Sequence, residues 1–455
     1  MTQSPQPVKV AIIGSGVSGL SAAWHLMQMS TEKLDISLFE KDNRLGGHTN
    51  TVDVTLQGIT AAVDTGFLVC NERTYPLFIP FLKKIGVPLE PTDMSFAVSV
   101  GPHQFEWCGS NLASLFSQPS NALSWRFWRM LKDVVRFNKE ATELAQTLAT
   151  DGSDLAKTLQ TPLRQFLTSK NYSDAFRDDY LVPMAAAIWS CSTKSMLEFP
   201  VGSFVRFFHN HGLLQITNRP RWFTVPGGAK QYVEKIKGQL EAYGGKVVLN
   251  AGSQKIVRSI SASGAKQIEV VTANGTHKFD HVILACHSNQ TLELLDDKTP
   301  AEQSILSSIP YQPNTAYLHT DENLMPKRKS AWAAWNYLSE KRGTDQEQSV
   351  SVTYWCNRLQ PLPFKTPVFV SLNPIIAPQP NKIIQTIAYE HPIFDMRSTH
   401  AQADLVKIQG TKNTWYAGAW TGYGFHEDGF RSGKLAAQAL LLKIADAPQF
   451  EAKAA

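Results

Sequence analysis

The chain opens with two short apolar runs that flank a helical pattern. Residues 8–13 and 34–39 are rich in branched apolar side chains, which predicts two buried parallel strands. Between them, apolar residues from Leu20 to Met27 recur at helical spacing. The order strand, helix, strand predicts a βαβ unit at the start of a doubly wound sheet.

Similar patterns continue to the C-terminus. Helices are predicted over residues 74–85, 110–148, 155–171 and 229–243, and antiparallel strands over 314–319, 331–337, 349–355 and 368–372. We therefore predict an α/β fold of two domains, a discontinuous Rossmann-like domain and a domain of helices with a mixed antiparallel sheet. The first comprises residues 1–100, 222–295 and 405–446, the second 101–221 and 296–404, and 447–455 form a tail.

Glycines follow the first strand at the G-x-G-x-x-G spacing. Gly14 permits a tight turn, Gly16 lets the backbone approach a pyrophosphate, and Gly19 lets the helix pack closely on the strand. Glu40 follows Gly19 by 40 − 19 = 21 residues, where a carboxylate can accept a hydrogen bond from a ribose hydroxyl. The other residues that open the helix, and offer free N–H groups to phosphate, are Ser15, Val17 and Ser18. The sequence therefore predicts a dinucleotide site.

Composition excludes several other classes of protein. The 455 residues are 43% hydrophobic and 18% charged, which describes a folded chain, and a net charge of +5 is too small to indicate nucleic-acid binding. Five cysteines without a C-x-x-C motif indicate reduced thiols and a cytoplasmic location. No run of 18 apolar residues predicts a membrane span. His209 and His211 lack a third ligand nearby, so we expect no metal site.

The predicted helix over residues 110–148 carries a basic face. Arg126, Arg129, Asp133 and Arg136 share one side, and apolar residues share another. Two interpretations stay open. The helix lies on an anionic membrane surface, which would make the protein peripheral on the inner face of the membrane, or it is an ordinary helix with a solvated face.

Residues 40–48 read E-K-D-N-R-L-G-G-H and resemble the E-x-x-x-R-x-G-G-R segment that closes over the FAD pyrophosphate in the flavin-containing amine oxidase superfamily. His48 replaces the final arginine. A D-x-G segment and a C-terminal G-Y-G-F-H-E-D-G segment extend the resemblance. The resemblance implies that the protein binds FAD non-covalently. In addition to the residues of the glycine loop and Glu40, the residues that it implies for FAD binding are Lys41, Arg44, Gly46, Gly47, His48, Asp64, Gly66, Phe67, Ile256, Gly418, Asp428, Gly429 and Phe430.

The sequences of several segments resemble those of one bacterial branch of this superfamily. That branch is associated with the synthesis of cyclopropane, methylated and furan fatty acids. These segments are R-L-G-G-H-T-N-T-V, V-T-Y-W-C-N-R-L-Q, Y-E-H-P and the C-terminal motif. The resemblance implies an unsaturated or methylated fatty-acyl substrate, bound in a phospholipid, and an S-adenosylmethionine-dependent lipid methyltransferase as partner. It also implies a substrate cavity lined by Trp189, Tyr354, Trp355, Trp420 and Tyr423.

The expected chemistry is hydride transfer from an acyl carbon to the flavin, with proton loss from a neighbouring carbon. His426 and Glu427 are the candidates for proton transfer, and a structural alternative is that they cap the final helix. Three alternatives stay open for the activity: amine oxidation or carotenoid-like desaturation, redox-neutral migration of a double bond, and an FAD-bound partner subunit without redox chemistry.

Overall fold

The computed structural model describes residues 6–101, 104–150, 160–189, 191–215, 219–260, 266–340 and 350–446. Within these ranges the strands, in chain order, are β1 Lys9–Ile13, β2 Asp35–Phe39, β3 Thr51–Leu56, β4 Ile59–Asp64, β5 Cys70–Asn71, β6 Glu90–Thr92, β7 Phe96–Val100, β8 Phe105–Cys108, β9 Trp222–Thr224, β10 Lys246–Val248, β11 Ser253–Ile260, β12 Lys266–Thr272, β13 Gly275–Phe279, β14 His281–Leu284, β15 Tyr311–His319, β16 Trp335–Ser339, β17 Ser351–Trp355, β18 Phe369–Leu372, β19 Ile383–Pro392 and β20 Thr414–Tyr416.

The described residues also form α-helices, apart from shorter 3₁₀ turns and one π-helix at Arg177–Leu181. In chain order they are α1 Val17–Met29, α2 Phe78–Lys84, α3 Leu112–Leu115, α4 Trp125–Thr150, α5 Leu163–Ser169, α6 Asp174–Phe176, α7 Val182–Trp189, α8 Thr193–Leu197, α9 Val201–Asn210, α10 Lys230–Tyr243, α11 Ser288–Leu294, α12 Pro300–Ser307, α13 Cys356–Leu359, α14 Met396–Asp404 and α15 His426–Asp446.

The first of two main sheets is parallel and has the order β10-β2-β1-β14-β20. Val10 pairs with Ile36 on one side and with His281 on the other. The predicted βαβ unit is therefore present, because β1 and β2 are neighbours joined through α1. Their continuous apolar runs fit a sheet that is covered on both faces.

The second main sheet has seven strands in the order β19-β15-β18-β17-β16-β7-β8. One pair, β16 with β7, is parallel, and the other pairs are antiparallel. Aromatic side chains of α4, α6 and α9, among them Phe127, Phe176 and Phe204, pack with Phe96 and Trp335 of this sheet in one apolar core. The fold is thus the predicted α/β arrangement of two sheets with helices.

The domain ranges remain a prediction, and one strand bears on them. The predicted boundary assigns residues 96–100 to the end of the first nucleotide-binding segment. The strand that they form, β7, pairs with β16 and β8 in the seven-stranded sheet. We propose that the boundary lies before Phe96, where the chain leaves β6 and enters the second sheet.

The long helix predicted over residues 110–148 is wrong in its first part. The chain forms the short helix α3, then a 3₁₀ turn at Pro119–Leu123, and α4 begins only at Trp125. Pro119 is the first residue of that turn. A proline has no backbone N–H to donate, so it is tolerated at the start of a helix but not in its interior. The helix predicted over 155–171 begins at Leu163 after Pro162, and residues 155–159 lie outside the described ranges.

A buried ion pair ties β11 to α12 beneath the first sheet. The Arg258 guanidinium donates to both Glu302 carboxylate oxygens, at 2.6 and 2.9 Å, and to Asp297 at 2.8 Å. Glu302 is fully buried and also accepts from the Tyr416 hydroxyl. Burial raises the pKa of Glu302, but the Arg258 hydrogen bonds outweigh burial and lower this pKa to about 2.

Replacing Glu302 by alanine is expected to lower the free energy of unfolding by about 3–5 kcal/mol, because the buried Arg258 would lose its two bonds to Glu302 and keep only Asp297 as a charged partner. Urea unfolding of both proteins measures this difference. The matched control is Asp296→Ala, which removes the half-exposed pair with Lys255 and should cost less than about 1 kcal/mol. Similar losses in the two variants would show that the buried pair contributes no more than a surface one.

Candidate functional site

A large cavity lies between the two main sheets and is lined by residues of both. Its volume is about 1160 Å³, above the usual range of about 300–1,000 Å³ for small-molecule pockets. At one end it is lined by residues that follow β1, β2, β14 and β20, which are the carboxyl ends of parallel strands. Ligands bind at this edge of open α/β sheets. The other end is lined by aromatic residues of the second sheet and its helices.

The glycine loop after β1 is shaped by close contacts on one side and open space on the other. Gly14 has φ +98°, and a Cβ there would lie 2.9 Å from the Ala285 carbonyl oxygen. A Cβ on Gly19 would lie 1.9 Å from the Gly14 oxygen, so Gly19 lets α1 approach the loop. By contrast, a Cβ on Gly16 would meet nothing within 4 Å. Gly16 lines the cavity, so this open space belongs to it.

The N-terminus of α1 faces the cavity without a side-chain cap. Gly16 is the N-cap residue, and Ser15, Val17 and Ser18 line the cavity beside it. Free N–H groups and the helix dipole at this point favour an anion such as a pyrophosphate.

Glu40 lies at the end of β2 and also lines the cavity. Its carboxylate accepts the backbone N–H of Ser15 at 2.9 Å and the Ser15 hydroxyl, and its other oxygen accepts the N–H of Asp42 at 3.1 Å. Gly46 N–H donates to the Ser15 carbonyl at 3.1 Å. The structure therefore brings the first glycine loop, the acid and the second glycine pair together, as the sequence predicts.

Arg44 and Lys41 are both in the lining, but the Arg44 side chain has a structural task as well. Its guanidinium donates to the Gly47 carbonyl at 2.9 Å and, at 3.4 Å each, to the carbonyls of Leu45 and Thr49. Arg44 thus holds the turn that presents Gly46 and Gly47, both of which have positive φ. Sequence reasoning assigned Arg44 to phosphate and missed these bonds to its own loop.

The D-x-G segment reaches the cavity through its second half. Gly66 and Phe67 line the cavity, and a Cβ on Gly66 would lie 2.1 Å from the His48 carbonyl oxygen. Asp64 lies behind them, outside the lining. It is buried and accepts the N–H of Ala229 and the amide of Gln360, each at 3.0 Å. Burial raises its pKa to about 7.

The C-terminal motif closes the same cavity. Gly418 lines it and donates its N–H to the Ser432 hydroxyl at 2.9 Å. The Trp420 indole donates to the Cys286 carbonyl at 3.2 Å, which fixes the chain that follows β20 against the chain that follows β14. Asp428 accepts the N–H groups of Tyr423 and Phe425 and lies behind the wall.

His426 lines the cavity, whereas Glu427 does not. The His426 ring stacks on Phe67 with 3.9 Å between centroids, and its Nε2 lies 2.8 Å from the Tyr232 hydroxyl. Burial lowers the pKa of His426 to about 3. Each Glu427 oxygen accepts a backbone N–H, from Leu77 and Phe78, at 3.0 Å. Glu427 therefore binds the start of α2. It does not share the direction of His426, because adjacent residues of a helix point about 100° apart.

Five other predicted site residues lie outside the lining, and one of them is Gly19, which instead packs against the Gly14 carbonyl. Ile256 is fully buried in the core beneath the first sheet. A Cβ on Gly429 would lie 2.6 Å from Val17, so this glycine lets α15 pack on α1, and Phe430 packs in the same core. Trp355 faces away from the cavity toward Trp332, with 5.4 Å between their centroids. Tyr354 lines the cavity, and successive strand residues point to opposite faces.

A group of imidazoles in the cavity wall was missed by sequence reasoning. His287 and His391 lie beside His48, with ring centroids 6.1 and 5.4 Å from it, and Tyr389 stacks on His48 at 4.8 Å. Burial lowers the pKa of all three histidines, to about 4 for His48 and His287 and about 3 for His391. These imidazoles are therefore uncharged at neutral pH. Of these side chains only His48 belonged to a recognised cofactor motif.

The far end of the cavity is aromatic. Of the residues predicted for the substrate cavity, Trp189, Tyr354, Trp420 and Tyr423 are in the lining. Additional aromatic residues that line the cavity are Phe96, Trp107, Tyr180, Phe207, Trp335 and Phe425. Arg219 also lines this end, is exposed to solvent, and donates to the carbonyls of Gln215 at 3.2 Å and Gly109 at 3.5 Å. The cavity thus reaches solvent beside a guanidinium.

These residues fit FAD. The space over Gly16, the uncapped start of α1 and the Glu40 carboxylate would hold the pyrophosphate and ribose, and residues 46–48, 66–67 and 418 extend the wall toward the second sheet. Fold and site together define a two-domain flavoprotein. The chain belongs to the flavin-containing amine oxidoreductase family, whose model matches residues 17–368. Family membership assigns FAD as the cofactor.

Individual proteins are also similar to this chain, in sequence or in fold. The chain is 26% identical over 295 residues to a putative flavin-containing monoamine oxidase, AofH, of Mycobacterium tuberculosis, a match that covers 63% of this chain and 58% of that relative. Two crystal structures share the fold at 15% and 14% identity, a CLA-producing fatty acid isomerase from P. acnes (TM-score 0.65) and cyclohexylamine oxidase from Brevibacterium oxydans IH-35A (TM-score 0.67). They cover 96% and 97% of this chain, which in turn covers 99% and 100% of theirs.

Two further findings concern the cysteines and the membrane. All five cysteines are unpaired, and of these Cys286 lines the cavity, where burial raises the pKa of its thiol to about 11. Among the described residues no helix is long and apolar enough to cross a bilayer.

Proposed function

We propose that the protein is an FAD-dependent oxidoreductase that acts on a fatty-acyl chain. The charge distribution of the cavity carries this proposal. Its acidic lining residues among those described are Glu40, Asp42 and Glu293 at the nucleotide end, and Glu390, which accepts from His287 at 3.2 Å. No other carboxylate of the described residues lines the aromatic end, and Arg219 lies at its opening. This arrangement suits an apolar chain with an anionic head.

The chemistry that FAD would supply when bound in this cavity is the acceptance of a hydride. The protein's own residues would orient the acyl chain and exclude water from it. The aromatic rings supply an apolar wall for the methylene groups. The histidines beside Tyr389 add no positive charge at neutral pH, since burial lowers their pKa values.

The assignment of proton transfer to His426 remains a prediction. Its Nε2 is bound to the Tyr232 hydroxyl, and a pKa of about 3 makes the imidazole a weak proton acceptor. We propose that His426 mainly positions Phe67, on which it stacks at the cavity wall.

An amine substrate is the second candidate. The named relative is a putative monoamine oxidase, and one structural neighbour is a cyclohexylamine oxidase. An aromatic wall can hold a cationic amine through cation–π contacts without any carboxylate. The structural neighbour from P. acnes, by contrast, is a fatty acid isomerase, which keeps redox-neutral double-bond migration among the candidates for an acyl chain.

The methyltransferase partnership is also a proposal, supported by the resemblance of segments such as Y-E-H-P and G-Y-G-F-H-E-D-G. If the chain acts only as an FAD-bound partner subunit, it will stimulate the methyltransferase, although no lipid will change the flavin absorbance.

Arg219→Glu tests the acyl proposal. We expect oleate to bind the FAD-loaded variant at least about tenfold more weakly than the unaltered protein, because a charge-assisted hydrogen bond is replaced by repulsion. Binding is followed by the change in flavin absorbance and tryptophan fluorescence. Arg221→Glu is the matched control, since Arg221 is also exposed but lies outside the lining. Oleyl alcohol, which has no charge, should bind all three proteins alike. Equal binding of oleate to both variants would contradict the proposal.

A further inference from the structure

Large apolar side chains are exposed on α3, on the 3₁₀ turn that follows it and at the start of α4. Leu112 of α3 is 77% exposed, Leu123 of the following 3₁₀ turn 92%, and Trp125 and Trp128 at the start of α4 are 80% and 49% exposed. These four residues, within seventeen positions of the chain (128 − 112 + 1 = 17), are called the apolar patch below. Trp128 is held in place because its indole donates to the Ala122 carbonyl at 2.9 Å.

The exposed side of α4 continues this patch with basic residues. Trp125, Trp128, Arg129, Lys132 and Lys139 are exposed and recur at helical spacing. The next exposed acid along the described part of this helix is Glu143. The exposed face is thus positively charged and carries two tryptophans.

This face differs from the basic face that the sequence predicts. Arg126 pairs with the buried Asp179 at 2.6 Å, and Arg136 lies over the Tyr172 ring at 3.9 Å. Asp133 is buried and accepts the N–H of Ser173. Arg126, Asp133 and Arg136 therefore hold α4 against α6 and its neighbours, and Arg129 is the member of the predicted face that remains on the exposed side.

The apolar patch lies close in sequence to the end of the cavity at which Arg219 is exposed. Gly109 lines the cavity and precedes Leu112 by three residues (112 − 109). The exposed Arg219, at the same opening, donates to the Gly109 carbonyl. A surface that covers the patch would therefore also face the entrance to the aromatic part of the cavity.

We propose that this face of α3 and α4 docks onto the surface of an anionic phospholipid bilayer, so that the cavity opens toward the lipid. Tryptophans prefer the membrane interface, and basic residues beside them bind anionic headgroups. The proposal deepens the proposed function by supplying the source of the acyl chain. Docking requires no turnover, so it holds or fails separately from the activity.

Co-sedimentation of the FAD-loaded protein with vesicles tests the docking. Vesicles of phosphatidylcholine with phosphatidylglycerol should bind the protein, and pure phosphatidylcholine vesicles should bind it much more weakly. Arg129→Glu with Lys132→Glu should weaken binding to the anionic vesicles at least about 25-fold, since each basic residue contributes about fivefold. Leu123→Ser with Trp125→Ser should weaken it about tenfold or more by removing the exposed apolar side chains.

Two matched variants control for general surface effects. Leu435→Ser with Leu442→Ser changes side chains on α15 that are 57% and 66% exposed, and Lys33→Glu with Lys235→Glu reverses two exposed charges on the first domain. Neither should alter vesicle binding. The proposal is overturned if anionic vesicles do not bind the protein, or if the patch and control variants bind alike. It is also overturned if the patch mediates a dimer instead, seen as concentration-dependent association that Trp125→Ser abolishes while vesicle binding persists.

Discussion

Replacing Gly16 by valine is expected to leave the chain folded and to prevent it from retaining FAD. Gly16 has φ −61° and ψ 178°, a conformation that any residue adopts, so the substitution introduces no backbone strain. A Cβ there would meet no protein atom within 4 Å, because it would project into the cavity where α1 begins. The valine methyl groups would then occupy the space that the pyrophosphate needs.

The ratio of flavin absorbance to protein absorbance after purification and dialysis against FAD measures this effect. We expect retention to fall at least about a hundredfold, since the pyrophosphate would lose its contacts with the helix N-terminus. Gly238→Val is the matched control: a Cβ on Gly238 would also meet nothing within 4 Å, but this glycine lies on α10, outside the cavity lining. Full FAD content in the Gly16 variant would show that the cofactor does not lie over this glycine.

The free energy of unfolding is expected to fall steeply as the pH drops from about 7 to about 4. The reason is that many histidines of the folded protein have a pKa near the lower end of this range. Eight histidines have a pKa that burial lowers to about 4 or about 3: His25, His48, His211, His281, His287, His319, His391 and His426. A histidine in the unfolded chain has a pKa of about 6.5. Below this pH, the unfolded chain takes up protons that the folded chain does not. Each such proton lowers the stability by about 1.4 kcal/mol per pH unit until the folded value is reached.

Buried carboxyls whose pKa is raised act in the opposite direction but are fewer. Burial raises the pKa of Asp64 and Glu427 to about 7 and also raises that of Asp428. Over the same window these groups take up protons in the folded chain first, which stabilises it as the pH falls. Because eight imidazoles outnumber three carboxyls, the net result is a loss of stability in acid.

Urea unfolding at a series of pH values checks this prediction. His319 is fully buried, and its Nε2 lies 2.8 Å from the Ser371 hydroxyl. His319→Gln should therefore reduce the slope of the free energy of unfolding against pH by about 1.4 kcal/mol per pH unit, which is the contribution of one proton. His400 is exposed, so His400→Gln provides the control for a histidine that is replaced at the surface. A stability that stays level or rises toward pH 4 would contradict the assignment of neutral buried imidazoles.

The nucleotide end of the site could be predicted because its parts are local in sequence. The glycine loop, α1 and Glu40 lie within a single βαβ unit, and each residue type has one task there. The second glycine pair was found through a motif that directly follows Glu40. The structure adds the Arg44 bonds to its own turn, which depend on a loop conformation that spacing does not specify.

The rest of the site depends on contacts between distant segments. His48, His287 and His391 come from three parts of the chain, and only the packing of β19 against the nucleotide domain brings them together. Trp355 was assigned to the cavity together with Tyr354, yet the alternation along β17 turns it to the other face. Arg219 belongs to no recognised motif, and its position at the cavity opening required the fold.

The most direct test of the proposed activity is the absorbance spectrum of the purified protein before and after anaerobic addition of an unsaturated phospholipid. We expect flavin bands in the purified protein, and bleaching of these bands by the lipid but not by cyclohexylamine or putrescine. Bleaching by an amine alone would contradict the acyl substrate, and the absence of flavin bands, even after incubation with FAD, would contradict the cofactor site itself.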